Sequence, residues 1–431
     1  MTVNEELLAF AADLANELER HEGRERARSA DQKIAFANTV HALLLKVLHS
    51  FRNPHKHPIL LSLHKPDYSS SNRYRPMPVS YRNLVAAYRS MRNRGLLLQL
   101  DKGWYSQGQQ RGRKTSFVAS KKLQTELQRF TSRVNGLSQI PTETIILKGA
   151  VNGQNQEKDY TDTPETNHMR DTLKRINSCF ASHELGLSLP TAEITDLVNS
   201  MEKDHSKGHL DFSQNRLRRI FAASSFELGG RFYGGWWQHV PKSYRQFITI
   251  DGEETCEYDF EQMNPHIAYL HLDKDLGKED AYSRVFGEEH RDVAKVAFNA
   301  MLNARSQLSH QPRNLDLKDR PFSWPELRDK VLEAHRPIEE LFFQGLGLRF
   351  QFVDSQIAEQ VMLSFLPDDA PCLPIHDSFI MHHSYGEGSG RLEETMRQVF
   401  RSIMGSDIGV RRELVQQVQH ARPLNPEMTA A

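Results

Sequence analysis

The chain has 431 residues, and its 55 Lys and Arg balance 55 Asp and Glu, so the formal net charge is zero and no whole-chain polyelectrolyte role follows. Hydrophobic residues make up 38% and charged residues 26%, the balance of a globular chain long enough for two or three domains. No apolar run reaches the ~18 residues of a membrane span, and Cys179, Cys256 and Cys372 form no CxxC pair, which argues against a zinc site or a disulfide framework. The start, MTVNEELLAFAADLANELERHEGRERAR, is amphipathic and acidic without a signal-peptide layout. The expected setting is the reducing cytoplasm, without a membrane partner.

Residues 3–50 predict helices broken near His21–Arg28, with apolar residues at helical spacing in IAFANTVHALLLKVLHSF. KPDYSSSNRYRPMP then reads as turns, and VSYRNLVAAYRSMRNRGLL as a helix stopped at Gly95. LLQLDKGWYSQ and TSFVASKKL predict two strands joined by the basic loop GQQRGRK. Between residues 81 and 134 stand twelve Lys and Arg against Asp101 and Glu126, a local bias that suits a polyanion. Helix, helix, basic helix and basic hairpin is the order of a winged helix, which places Arg82, Arg89, Arg92, Arg94, Arg111, Arg113 and Lys114 at DNA. A solvated basic face is the plainer alternative.

Residues 136–166 are polar and predict a linker with one short strand, ETIILKG. Helical spacing returns over 167–222, strands and helices mix from about 226, and the tail from Pro423 predicts fraying.

Chemistry concentrates further on. CEYDFEQMNPHIAYL predicts a strand ending as a helix begins, with Pro265 in the first turn and Asp259 at the strand end. LPIHDSFIM predicts a hairpin with His376-Asp377 at its tip. A carboxylate there is costly unless it has work. Two Asp on neighbouring strands can hold two divalent ions, Mg²⁺ by ligand preference and Mn²⁺ as a substitute. Between them Arg291, Lys295, Asn299 and Asn303 recur every four residues on a predicted helix, where Arg291 and Lys295 can clamp a triphosphate. An ordinary amphipathic surface helix explains the same spacing. In SSFELGGRFYGGWWQ a double glycine precedes Arg231 and suits close approach to another chain. Phe232, Tyr233, Trp236 and Trp237 suit either a core or base stacking.

Taken in order, these segments resemble the single-subunit palm polymerases, the superfamily of bacterial DNA polymerase I and the phage-type RNA polymerases. Glu227-Leu-Gly-Gly-Arg231 resembles the duplex-contact motif, with Glu in place of Asp. Asp259-Phe-Glu-Gln-Met-Asn-Pro-His-Ile resembles motif A in its DNA polymerase I form, Arg291 and Lys295 resemble motif B, and His376-Asp377-Ser378 resembles motif C in its RNA-enzyme form. FVDSQIAEQVMLSF resembles the helix whose Gln, here Gln356, reaches the duplex. The resemblance covers residues 215–405.

It implies an α+β chain: a right-hand palm, fingers and thumb polymerase core preceded by a mainly α winged-helix domain. The implied divisions are a DNA-binding domain at 1–135, a linker at 136–166, a thumb at 167–225, palm at 226–270 and 351–422, fingers at 271–350, and a tail at 423–431. It implies nucleotidyl transfer from nucleoside triphosphates to a 3′-OH on a DNA template. Asp259 and Asp377 would hold two Mg²⁺, Arg291, Lys295, Asn299, Asn303 and Asn264 would meet the nucleotide, His376 the primer end, and Arg231 and Gln356 the duplex. Tyr269, Arg245 and His266 are secondary candidates. Asn264 stands where the DNA enzymes keep a Glu gate against the 2′-OH, and Asn303 where the RNA enzymes keep a Tyr. Asn264 and Ser378 lean toward ribonucleotides, motif A toward deoxyribonucleotides. RNA or primer synthesis stands ahead of DNA synthesis, with a non-catalytic replication initiator as the rival from another class and a metal phosphohydrolase built on His376-Asp377 behind it. The oligomeric state stays open.

Overall fold

The computed structural model describes residues 3–23, 25–51, 58–69, 72–75, 77–106, 111–131, 142–151, 154–203, 210, 212, 214–386 and 388–413. Helices and sheets are mixed throughout, around two separate hydrophobic cores.

The first core gathers Leu7 to Phe130. Helices α1 (Val3–Arg20) and α2 (Ala30–Ser50) flank the predicted break. α2 starts on a capping box in which Ser29 Oγ accepts from Gln32 N (3.4 Å) and Gln32 Oε1 from Ser29 N (3.2 Å). β1 (Ile59–Leu61) leads to α3 (Tyr81–Asn93), which Ser80 caps and Gly95 ends at a φ of +67°. The basic hairpin is four short strands rather than two: β2 (Leu97–Asp101), β3 (Trp104–Ser106), β4 (Arg111–Arg113) and β5 (Thr115–Ala119). β2, β5 and β1 form an antiparallel sheet in the order β1-β5-β2. The break falls at Gly103, where a Cβ would lie 2.6 Å from the Arg113 carbonyl oxygen. Lys121 and Lys122 leave the expected strand and open α4 (Lys121–Thr131), because the Ser120 hydroxyl takes the Leu123 N–H.

The largest departure from expectation is the linker. Its residues 145–157 form β6 (Ile145–Val151) and β7 (Gln154–Glu157). After α5 (Pro164–Ser182), β8 (Leu185–Leu187) and α6 (Thr191–Lys203), β9 (Asn215–Ala222) runs parallel to β6, and β10 (Ser225–Gly235) pairs with β9, giving the order β10-β9-β6-β7. Ile145, Ile146 and Leu147 are all buried, the continuous apolar run of a strand covered on both faces. The polar flanks hid it. The stretch 167–222 is likewise not purely helical, since it contains β8 and β9. Residues from 414 onward, the predicted tail among them, lie outside the described residues.

Arg73 and Tyr74 join the two halves. Arg73 donates to Asp159 (2.7 Å), Asp162 (2.9 Å) and Glu143 (3.3 Å) and lies 4.2 Å over the Tyr160 ring. Tyr74 OH donates to the Lys158 carbonyl (2.7 Å) and accepts from Leu147 N (3.1 Å).

A further sheet follows the order β13-β14-β12-β11-β8, from β11 (Ile248–Ile250), β12 (Glu253–Phe260), β13 (Leu373–Ile375) and β14 (Ser378–His382), with β15 (Val410–Arg412) also on β12. α7 (Met263–His271), α8 (Ser283–Phe286), α9 (Arg291–Asn303) and α10 (Trp324–Ala334) come between β12 and α11 (Gly347–Phe365), and α12 (Arg391–Met404) precedes β15. The double glycine serves this fold internally. Gly230, at φ +78°, passes so near α11 that a Cβ would stand 3.0 Å from Ser355 Oγ and 2.9 Å from the Phe221 ring.

Arg219 staples β9, β10 and α11. Its buried guanidinium donates to the Gly230 carbonyl (2.8 Å), Glu359 (2.9 Å) and Ser355 Oγ (3.1 Å), between the rings of Phe221 and Phe232. Arg219→Ala is expected to destabilise the chain by about 3–5 kcal/mol, because the partners stay buried without it. Arg219→Lys should recover only part of that, lacking the fork that reaches three acceptors. Urea unfolding of both variants checks the order.

Candidate active site

β12 alternates. Cys256, Tyr258 and Phe260 point into the core, while Glu257 and Asp259 share the other face. β14 lies against it with Asp259 opposite Ser378 and Tyr258 opposite Phe379. β13 and β14 are joined by two residues, His376 and Asp377, since Ile375 pairs with Ser378. Such a turn needs a positive φ, and His376 supplies +59°. The Phe260 N–H donates to the Asp377 carbonyl (3.2 Å), so the two aspartates stand side by side at one sheet end.

The neighbourhood is acidic. Burial, then Asp377, then Glu413 push the Asp259 carboxyl up to about 8, against the pull of Lys295. Asp259 Oδ1 is buried without a hydrogen-bond partner. An orphaned carboxylate oxygen beside a second carboxylate is the donor set a hard divalent cation requires. The other acids nearby are already neutralised. Glu257 accepts from Arg245 (2.9 Å) and Ser378 Oγ (2.7 Å), and Glu413 meets Lys242 (2.7 Å) and Arg411 (3.2 Å). Ser378, read as a marker of RNA enzymes, is buried and oriented by Glu257.

α9 carries the cations. Val293, Ala294, Ala297, Phe298, Met301 and Leu302 are buried, which leaves Arg291, Lys295, Asn299 and Asn303 off the core face. Lys295 is exposed and has no ion-pair partner among the described residues. Arg291 donates to Asp280 (2.9 Å) and lies 5.2 Å over the Tyr282 ring. Asn264 Nδ2 donates to Asn299 Oδ1 (2.7 Å), tying α7 to α9. Asn303 Nδ2 bonds the Asn299 carbonyl (2.6 Å), and its Oδ1 occupies the space that a Cβ on Gly347 would need.

Arg231 faces inward to a buried carboxylate. It grips Asp354 of α11 through two nitrogens, with Nε 2.8 Å from Oδ2. Burial still holds the Asp354 carboxyl up at about 6, with Asp377 pushing the same way. Gln356 is exposed on the same helix, and His376 sits edge-on to Tyr233 at 5.7 Å. Trp236, Trp237 and Phe232 are core residues. So is Tyr269, whose hydroxyl pairs with His335 (3.1 Å), which removes it from substrate contact. Arg245 is spent on Glu257, and His266 is half-buried against Phe400.

On the first half, Arg82, Arg89 and Arg92 are exposed on α3, and Lys114 is exposed beside the hairpin. Arg94 is engaged by Glu17 and Arg113 by Asp101 (3.0 Å). Arg111 opens β4. Sequence reasoning missed Glu413, Asp354 and Asp280. Each comes to the site from another element; Asp354 sits two residues before Gln356 in FVDSQIAEQVMLSF, and Glu413 and Asp280 stand in no motif.

No family model matches the sequence, and no curated protein is similar to it. Among solved structures, the chain is similar to the POL domain of Pol1 from M. smegmatis, solved in complex with DNA primer-template and dNTP. Identity is 14%, the TM-score is 0.34, and the match covers 52% of this chain and 51% of that one. The chain thus spans about half the length of the structure it matches.

A raised carboxyl pKa sets a pH dependence. Stability from protonated Asp259 is complete below the unfolded value near 4 and is lost as pH rises through about 8. Asp259→Asn is therefore expected to melt higher than the parent at pH 8.5, with the gain vanishing near pH 4. Mg²⁺ should raise the melting temperature of the parent at pH 8.5 and leave Asp259→Asn unmoved. Thermal scans across pH, with and without the ion, check both.

Proposed function

We propose that this chain is a template-directed nucleotidyltransferase that extends a nucleic-acid 3′-end from nucleoside triphosphates. The observation that carries the reading is Asp259 and Asp377 side by side on paired strands, with an orphaned Asp259 oxygen and a free Lys295 acting on the same carboxylate. Asp259 and Asp377 are the residues that would hold two Mg²⁺, with Mn²⁺ as a substitute. Bound there, the ions lower the pKa of the attacking hydroxyl and stabilise the departing pyrophosphate.

The chain's own groups do the rest. Lys295 offers its ammonium to the triphosphate without first leaving an ion pair. Arg291 joins it by exchanging Asp280 for phosphate oxygens. Asn299 and Asn264 line the nucleotide side of the cleft, and Asn303 supports that row from the end of α9. Asn264 is shorter than a Glu gate and already bonded to Asn299, so it leaves room for a 2′-OH. This favours RNA or primer synthesis. His376, at the turn beside Asp377, meets the primer terminus, and exposed Gln356 meets the duplex. Arg231, through Asp354, sets where α11 lies against that duplex.

Residues 167–225 serve as thumb, 226–270 and 351–422 as palm, and 271–350 as fingers. The first 135 residues bind DNA as a winged helix, a reading supported by the sheet order β1-β5-β2, with β1 between α2 and α3 and with β2 and β5 after α3. Arg82, Arg89 and Arg92 enter the groove, and Arg111, Arg113 and Lys114 touch phosphates.

A primer-extension gel decides the catalytic reading. One DNA template is offered with or without primer, with Mg²⁺ and either ribo- or deoxyribonucleoside triphosphates. Ribonucleotide products are expected, and Asp377→Asn should reduce them to background while DNA binding persists. Deoxyribonucleotide products alone would move the sugar gate away from Asn264. No product in any lane, with DNA still bound, would leave a non-catalytic initiator. Replacing Arg82, Arg89 and Arg92 by Ala should weaken DNA binding by about 1–3 kcal/mol per base-contacting arginine and relax sequence preference, whereas Lys114→Ala should lower the slope of log affinity against log salt by about 1. Unchanged affinity and sequence preference in the triple variant would remove α3 from the DNA interface.

A further inference from the structure

A cluster that shares no residue with the paired aspartates uses chemistry that the polymerase reading leaves idle. Cys179 lies in the last turn of α5, and His183 caps that helix with an extended backbone (φ −111°, ψ 155°). Asp369 reaches them from the turn after α11, at a φ of +50°. The thiol sulfur, an imidazole nitrogen and a carboxylate oxygen all lie within 4.8 Å of one another. A tetrahedral ion with bonds of about 2.0–2.3 Å needs its donors roughly an ångström closer. Asp369, which must move most, is the exposed member.

His183 supplies a second, independent indication. Its Nδ1 faces Asp251 Oδ2 at 2.5 Å, and its Nε2 faces the Asp369 carbonyl at 2.6 Å with Asp369 Oδ2 at 3.7 Å. A neutral imidazole has one N–H and one lone pair, so it cannot satisfy two oxygen acceptors. A metal ion on the Nε2 side is one arrangement that resolves this. Asp251 is itself fixed, accepting from Glu184 N through its other oxygen (2.8 Å) and donating its own N–H to the Glu184 carbonyl (2.7 Å). A carboxylate that orients a histidine through Nδ1 is the usual outer partner of a metal-bound imidazole. An open groove of about 750 Å³, lined by Lys174, Arg175, Ser178, Cys179 and Asp369, gives a path from solvent.

We propose that Cys179, His183 and Asp369 form a zinc site, with Asp251 as the outer partner of His183 and water as the fourth ligand. A thiolate with an imidazole selects zinc over magnesium, which prefers an all-oxygen set. The ion pins the end of α5 to the turn after α11, and through Asp251 to the β11–β12 turn. The absence of a CxxC pair had argued against zinc. The signal was instead a Cys-x-x-x-His pair spanning the end of α5, completed by an Asp from elsewhere. The site shares no residue with the paired aspartates, so it stands whether or not the chain is a polymerase.

The test uses the full chain, stripped with a chelator and then dialysed against Zn²⁺ or Co²⁺. About one zinc per chain is expected by elemental analysis. The cobalt form should show an ultraviolet thiolate-to-metal charge-transfer band. With three cysteines in the chain, a band that survives in Cys256→Ser/Cys372→Ser belongs to Cys179. Cys179→Ser and His183→Gln should lose stoichiometric metal while keeping the parent's circular dichroism, and Asp251→Asn should weaken zinc binding by roughly 10–100-fold. The Asp259→Asn/Asp377→Asn variant should bind zinc as the parent does. Folded protein without bound metal, or cobalt without the thiolate band, would overturn the site. Unchanged zinc affinity in folded Cys179→Ser would overturn it equally.

Discussion

The register of β12 against β14 is the constraint on which the site depends. Because side chains alternate along a strand, a slip of one residue would carry Asp259 into the core and Tyr258 out of it. Two features hold the register. Tyr258, Phe260 and Phe379 are buried, with Phe260 packed edge-on to Phe379. The β13–β14 turn allows only two residues between Ile375 and Ser378. The apolar face of the sheet therefore positions the polar one, and the cost of crowding two carboxylates is met by the packing behind them.

The charge around that pair is arranged unevenly. Glu257 has Arg245, Glu413 has Lys242 and Arg411, and Asp354 has Arg231. Each of these acids is neutralised by the chain itself. Asp259 is not, and its carboxyl responds by holding its proton. Local neutralisation of the acids around the pair leaves Asp259 and Asp377 as the place where a bound cation would be useful. A structural ion-pair network would have distributed the uncompensated charge.

The legible parts of the sequence were the local ones. Helices α1, α2, α3 and α9 follow from apolar spacing, and the β13–β14 hairpin from a short polar pair inside an apolar run. What stayed hidden depended on partners distant in sequence. ETIILKG reads as a stray strand until β9 lies parallel to it, because nothing within residues 136–166 records that pairing. The double glycine reads as room for a ligand, whereas its neighbours are Phe221 and Ser355 of the same chain. Tyr269 looks like a site residue from its place after motif A, but on α7 it falls on the buried face and meets His335.

The two arginines near the site differ in what it takes to free them. Arg291 is about a third exposed and its partner Asp280 is similar, so exchanging that carboxylate for phosphate loses little. Arg231 holds Asp354, which is almost wholly buried, and freeing it would strand a carboxylate inside the protein. The same Arg–Asp contact therefore has two meanings. At Arg291 it is a partly exposed pair that can open at little cost. At Arg231 it is part of the framework, joining β10 to α11 beside Asp377. The guanidinium of Arg231 stays where Asp354 holds it, while Gln356, two residues further along α11, stays exposed.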